Sequence, residues 1–372
     1  MQVQAFIREK GWVALTEELG IEVREYENGF RVLNYSQIDS PKTHPIVLEC
    51  RGLILDLDLN VICRPFDRFF NFGEAGTENF DFSACNVFSK EDGSLVKVYW
   101  NPIDNQWEIA TRGTAFAEAP HVFGTAKSGT FRDWILNAMH FTEDEFQNVM
   151  RNFPKHNAFI FEYVGPENRI VTRYIDAAVI LLGIRAVTGQ EDPALLHWGE
   201  EFQKYGMNTR LPKIYSASSE DQIMQMVSTL TDLQEGFVAQ EILTGRRVKI
   251  KSAQYVLVHQ MRGNGSPTLN NLMELVLKNE QDELLVHFPE FEPFVTPIEN
   301  ALKEMIVETA IVYGNSHNYE TQKDFAMAVK DTKVAPLCFK MRKNNQSISE
   351  AFDSMEMSQK KNLLLKYINE EE

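Results

Sequence analysis

From about residue 30 to residue 255 the apolar positions return every second residue. That period turns one face of a strand to a core and the other to solvent or a site. It predicts strands over 30–35, 53–57, 60–64, 95–100, 107–111, 158–164, 178–184, 236–242 and 247–250. These runs are rich in Val, Ile, Phe and Tyr and are bounded by Gly, Asn, Asp and Pro. The pair around Asp58-Leu59 reads as a hairpin, and helices are expected over 130–152 and 219–230. Strands joined mostly by hairpins, with a few inserted helices, predict an antiparallel α+β domain rather than a doubly wound parallel sheet.

Beyond Tyr255 the period becomes helical. Leu302, Met305, Ile306 and Thr309 follow the i, i+3, i+4, i+7 rule, as do Leu272, Leu275, Val276 and the apolar positions of 325–329. Gly263-Asn264-Gly265-Ser266-Pro267 reads as a linker, and Pro289, Pro293 and Pro297 as a break. The expected division is an α+β domain over 1–255 and an all-helical domain over 256–372.

Composition narrows the class. The four cysteines, Cys50, Cys63, Cys85 and Cys338, are scattered without a Cys-x-x-Cys pair, which suits free thiols in a reducing cytoplasm better than a disulfide framework or zinc site. No basic segment leads into an apolar run at the amino terminus, and no apolar stretch approaches the roughly eighteen residues of a membrane span. A cytoplasmic chain without a membrane partner is expected. The net charge of −16 opposes a nucleic-acid partner unless cations gather locally in a cleft.

Candidate chemistry centres on Phe88-Ser89-Lys90-Glu91-Asp92-Gly93-Ser94. An isolated Lys-x-Asp-Gly is more often a solvated turn, since Asp-Gly suits turn geometry. A nucleophilic lysine needs a neutral amine, which burial or neighbouring cations favour. Val248-Lys249-Ile250-Lys251 offers two lysines on one strand face. Glu235-Gly236-Phe237-Val238 opens the strand before it. Glu162 lies within an otherwise apolar strand, so it needs a hydroxyl, cation or metal partner. Walker, protein-kinase and His-Glu-x-x-His patterns are absent.

In this order, Lys-x-Asp-Gly, Phe161-Glu162-Tyr163, Glu235-Gly236-Phe237-Val238 and Lys249-Ile250-Lys251 resemble the covalent nucleotidyltransferase superfamily of DNA ligases, RNA ligases and capping enzymes. More closely, the chain resembles the phage RNA ligase 1 family that repairs cut tRNA. That match rests also on Phe30-Arg31-Val32-Leu33-Asn34-Tyr35, Leu48-Glu49-Cys50-Arg51-Gly52, Arg68-Phe69-Phe70-Asn71 and Pro166-Glu167-Asn168-Arg169-Ile170-Val171. It covers residues 30 to 260 well and the helical tail loosely.

The resemblance implies an antiparallel nucleotidyltransferase (adenylyltransferase) domain and an ATP-dependent RNA ligase. Lys90 would attack the α-phosphorus of ATP and carry AMP. Glu162 would hold the ribose hydroxyls, and Glu235, with Gly236 beside it, would serve the metal and phosphate region. Lys249 and Lys251 would contact the α-phosphate and keep Lys90 neutral, and Gly93 would complete the turn. Tyr35, Arg51 and Arg68 match positions that grip the triphosphate and later the RNA 5′-phosphate, and Arg112 a basic position needed for ligation. Arg68 and Arg112 stand where lysine is common in the family, a change that keeps the charge but alters the donor geometry. Asp282 falls near a metal-associated acidic position, although it reads more readily as part of a solvated helix face. ATP and Mg2+ or Mn2+ are the implied cofactors. The implied partner is RNA, as tRNA with a broken anticodon loop held by the helical domain of a monomer. Competing readings are a non-catalytic RNA-binding module with the same fold, and a DNA ligase or capping guanylyltransferase, which would carry a β-barrel after the Lys-x-Lys strand.

Overall fold

The computed structural model describes residues 1–36, 39–119, 129–231, 233–261 and 268–368. The expected linker at 263–267 lies outside them. The chain divides into two compact units, one of Met1–Tyr35 and Ser40–His259, the other of Ser36–Asp39 and Gln260–Glu372. The second unit thus takes in a short stretch of the amino-terminal region as well as the tail.

In the first unit the described strands are β1 (Ile21–Glu25), β2 (Arg31–Tyr35), β3 (Arg51–Leu55), β4 (Val61–Cys63), β5 (Phe70–Asn71), β6 (Cys85–Lys90), β7 (Ser94–Asn101) and β8 (Gln106–Thr111). They continue as β9 (Asn157–Val164), β10 (Ala178–Ala186), β11 (Glu191–Asp192), β12 (Thr209–Arg210), β13 (Ile214–Tyr215), β14 (Gly236–Glu241) and β15 (Arg247–Lys251). The α+β class holds, and the predicted strands recur with shifted ends.

Three sheets result. The first is the antiparallel meander β1-β2-β3-β4; the second runs β11-β10-β9-β7-β8 with β12 parallel to β10; the third runs β13-β6-β14-β15-β5, with β5 parallel to β15. Within the second sheet Phe159, Phe161 and Tyr163 of β9 point into a large apolar core with Val96, Val98, Val179 and Leu181. The alternate residue Glu162 turns to the opposite face. Within the third sheet Val87, Phe237, Ala239, Val248 and Ile250 share another core with the helix Glu220–Ser228. The functional cleft is fixed by a crossing: the chain leaves the third sheet at Lys90 and enters the second at Ser94.

Some expectations needed correction. The helix expected over 130–152 is two helices, Phe131–Met139 and Glu143–Met150. Each has its own capping box, Thr130 with Asp133 and Thr142 with Glu145, and His140 ends the first at a left-handed φ of 63°. The helix Gln2–Leu19 was not foreseen, because Gly11 (φ 88°, ψ 172°) interrupts its pattern. In the second unit Pro293 sits in the first turn of the helix Glu292–Ser316 and Pro297 lies inside it, so these prolines do not mark a break. That helix turns Ala301, Met305 and Thr309 into the unit's interior, and Leu272, Leu275, Val276, Phe325 and Val329 are buried as their spacing predicts. Among the described residues no helix is long and apolar enough to cross a membrane.

Candidate active site

Register places the lysines. On β14, Gly236 is paired with Lys90 of β6 on one side and with Lys251 of β15 on the other, and Val238 is paired with Phe88 and Lys249 in the same way. Paired residues share a sheet face, so Lys90, Lys249 and Lys251 all project from the face opposite the Val248–Ile250 core. The middle of this row must be glycine. Gly236 has φ 147°, and a Cβ there would lie 2.1 Å from the Ile250 carbonyl oxygen. At Gly93 a Cβ would come within 2.2 Å of the Tyr163 carbonyl oxygen, so the turn packs directly onto β9.

These elements wall a cavity of about 510 Å³ that brings together Arg51, Lys90, Gly93, Arg112, Glu162, Lys249 and Lys251. Glu235, nearly buried, ties the cations: its carboxylate is 2.7 Å from Lys90 Nζ and 3.4 Å from Lys251 Nζ. Glu162 Oε1 accepts the Gly93 amide at 3.1 Å, a backbone partner that the sequence did not suggest. Desolvation raises the Glu162 carboxyl to about 8 despite the counteracting Lys90 charge. The Lys249 amine is pulled down to about 7 by desolvation and by the charges of Arg51, Lys251 and Lys90.

A second group of cations adjoins the cavity. Arg68 stacks 4.1 Å and Arg112 5.4 Å from the Tyr35 ring centre, and Arg51 and Lys249 lie 5.6 and 5.0 Å from that of Phe69. Arg51 Nη1 and Arg68 Nη1 are buried without a hydrogen-bond partner among the described residues. Buried orphan donors of this kind suit an anion. Arg68 itself lines a neighbouring cavity of about 680 Å³ that shares Phe66, Phe69, Phe88, Leu182, Gln240 and Arg247 with the first. Asp282 lies on the helix Gln281–His287 of the second unit. Among the described residues no group of three His, Cys, Asp or Glu side chains is placed to hold a metal ion.

Residues 49–255 match the family model for RNA ligases of the T4 type 1 class. This stretch is more than half of the chain and contains the whole lysine-bearing cavity. The chain belongs to this RNA ligase family. A protein of Autographa californica nuclear polyhedrosis virus, named a bifunctional polynucleotide kinase/RNA ligase, is 29% identical over 92% of the chain and 50% of its own length. An RNA ligase of Rhodothermus phage RM378 is 26% identical over 64% of the chain and 66% of its own length. The chain therefore spans half of one relative and less than two thirds of the other. A solved archaeal ATP-dependent RNA ligase aligns over 89% of each chain with 13% identity and a TM-score of 0.49.

Sequence reasoning missed several side chains of this RNA ligase family member. Lys97 is fully buried, donates to the Gly52 carbonyl at 2.7 Å and is pulled down to about 8 by desolvation. Its position inside an apolar strand carried the same signal as Glu162. Glu91 accepts the Ser89 and Tyr174 hydroxyls at 2.6 and 3.0 Å, and Asp92 is bound by residues far away in sequence. Nothing in local pattern could reveal those pairings.

Proposed function

We propose that the chain is an ATP-dependent RNA ligase that joins an RNA 5′-phosphate to a 3′-hydroxyl through a covalent Lys90–AMP. The observation that supports this most is the convergence of Lys90, Lys249, Lys251 and Arg51 on one cavity, with Glu235 paired to Lys90 and Lys251 and, among the described residues, the Nη1 donors of Arg51 and Arg68 buried without a partner. Phosphoryl transfer depends on positioning and on charge placed around the phosphate oxygens.

In the first step Lys90 Nζ, freed of a proton, forms a bond to the α-phosphorus. The bond to the β-phosphate oxygen breaks, and pyrophosphate leaves with the electron pair. Glu235, 2.7 Å from Nζ, stands where it can take that proton. Lys249 and Lys251 flank the α-phosphate, Glu162 accepts from the ribose hydroxyls, and Tyr35, Arg51 and Arg68 receive the outer phosphates. In the second step an oxygen of the RNA 5′-phosphate bonds to the AMP phosphorus, the Lys90 Nζ–P bond breaks, and the amine leaves and takes up a proton. In the third an RNA 3′-hydroxyl attacks that phosphate and AMP leaves, with Arg112 holding the RNA phosphate. A divalent cation, Mg2+ or Mn2+, would neutralise phosphate charge. The ion would be held by the ATP phosphates, and Glu235 is the side chain that, on the family resemblance, would serve that metal and phosphate region. The second unit is helical among its described residues, which favours an RNA ligase over the barrel-bearing DNA ligases and capping enzymes. The substrate we propose, tRNA broken in its anticodon loop and held by the helical unit, rests on the family resemblance.

Incubation with radiolabelled ATP and magnesium should label the protein in an acid-labile form, and added RNA with a 5′-phosphate and a 3′-hydroxyl should discharge the label and be sealed. A protein that takes up no label, or label only from GTP, would refute the reading.

A further inference from the structure

Arg51 faces the cavity against the period of its own strand. On β3, Arg51, Leu53 and Leu55 are two residues apart, and Leu53 and Leu55 are buried with Val3, Ile7 and Leu33. A regular strand would turn Arg51 into that same core. The register shows why it does not. β2 pairs Leu33 with Leu53 and Asn34 with Arg51, so Gly52 is an extra residue without a partner in the ladder, at a left-handed φ of 81°. This bulge moves Arg51 to the other face of the sheet, the one it shares with Asn34. A bulge also frees a backbone carbonyl, and Lys97 of β7 takes the one at Gly52: Nζ donates to it at 2.7 Å. Lys97 is 0% exposed between the buried Val96 and Val98. Burying an amine costs solvation, and the hydrogen bond it makes fixes the residue next to Arg51. On another side, a Cβ on Gly52 would lie 2.6 Å from the Arg112 carbonyl oxygen, which accepts the Asn34 side-chain amide at 3.2 Å. Lys97 and the Arg112 backbone thus both close on the bulge.

We propose that Lys97 is a positioning residue for the phosphate grip: by holding the Gly52 bulge, it keeps the Arg51 guanidinium aimed into the cavity for the outer phosphates of ATP. The inference rests on the ligase reading above. Arg51 Nη1 has no hydrogen-bond partner among the described residues, so the backbone beneath the side chain carries its aim. A guanidinium meets phosphate through a fixed fork of donors, and a shift of that backbone misplaces the fork.

The full chain carrying Lys90→Ala binds ATP without forming the adduct, so calorimetry in magnesium reads affinity alone. Adding Lys97→Met should weaken ATP binding roughly tenfold and leave binding of AMP, which lacks the outer phosphates, unchanged. Combined with Arg51→Ala, Lys97→Met should weaken ATP no further than Arg51→Ala does by itself, because the two substitutions remove one interaction. Should Lys97→Met yield no folded protein, Lys97→Gln, whose shorter side chain reaches the carbonyl less well, takes its place in the same cycle. Undiminished ATP affinity, an equal loss for ATP and AMP, or additive losses with Arg51→Ala would overturn the proposal while leaving the ligase reading intact. A wild-type protein that takes no label from ATP would remove the ligase reading, and this inference with it.

Discussion

The two faces of strand β15 are built from the same five-residue run and do opposite things. Val248 and Ile250 are buried in the core of the third sheet, whereas Lys249 and Lys251 stand on the cavity side. The apolar face gains its free energy by leaving water, and nothing in it is directional. The cationic face gives up solvation to hold like charges together, and Glu235 and the depressed proton affinity of Lys249 record that cost. The strand thus shows where stability ends and function begins, at a spacing of one residue. Substitutions on one face should unfold the protein without changing the chemistry, and those on the other should do the reverse.

The largest effect is expected where the two faces meet. Gly236→Ala would place a Cβ 2.1 Å from the Ile250 carbonyl oxygen at a φ of 147°. It should lower unfolding free energy by upward of about 3 kcal/mol in a denaturant titration and abolish labelling as well. Lys251→Ala should separate the faces: labelling in single turnover falls roughly 10²–10³-fold, while the denaturation midpoint hardly moves. Ile250→Val gives the converse, with about 0.5–1.5 kcal/mol lost from stability and no change in labelling rate. If Lys251→Ala unfolds the protein, or Ile250→Val slows labelling, the division between the faces is wrong.

The smallest effect concerns protons. The Lys249 amine is held near 7 in the free cavity, and phosphate would favour its charged form. ATP binding slightly above pH 7 should therefore take up a proton, and affinity should fall as pH rises through about 7. Calorimetry in buffers of different ionisation heat measures that uptake directly. It should disappear in Lys249→Met.

How much of this was legible depended on the range of each interaction. The period of two along Val248-Lys249-Ile250-Lys251 gave both faces at once, because strand geometry converts it directly into sides. The strand Cys85–Lys90 escaped notice because Val87 faces the core and Phe88 the cavity, so its apolar residues do not alternate. The break at His140 carried no Gly or Pro to announce it. Glu235 was expected among metal and phosphate ligands, yet its shortest ion pair is to Lys90 itself. The Asp92–Tyr255 bond joins residues 163 positions apart, a closeness that only the folded chain creates.

That geometry leaves a direct choice between two amines. Lys249 lines the cavity with its proton affinity weakened, and Lys90 sits on the Gly93 turn 2.7 Å from Glu235. Peptide mapping by mass spectrometry, after brief exposure to ATP and magnesium, would show which of them carries the AMP increment. The account predicts the adduct on the peptide containing Lys90 and none in Lys90→Ala. An adduct on Lys249, or no adduct on any lysine, would contradict it.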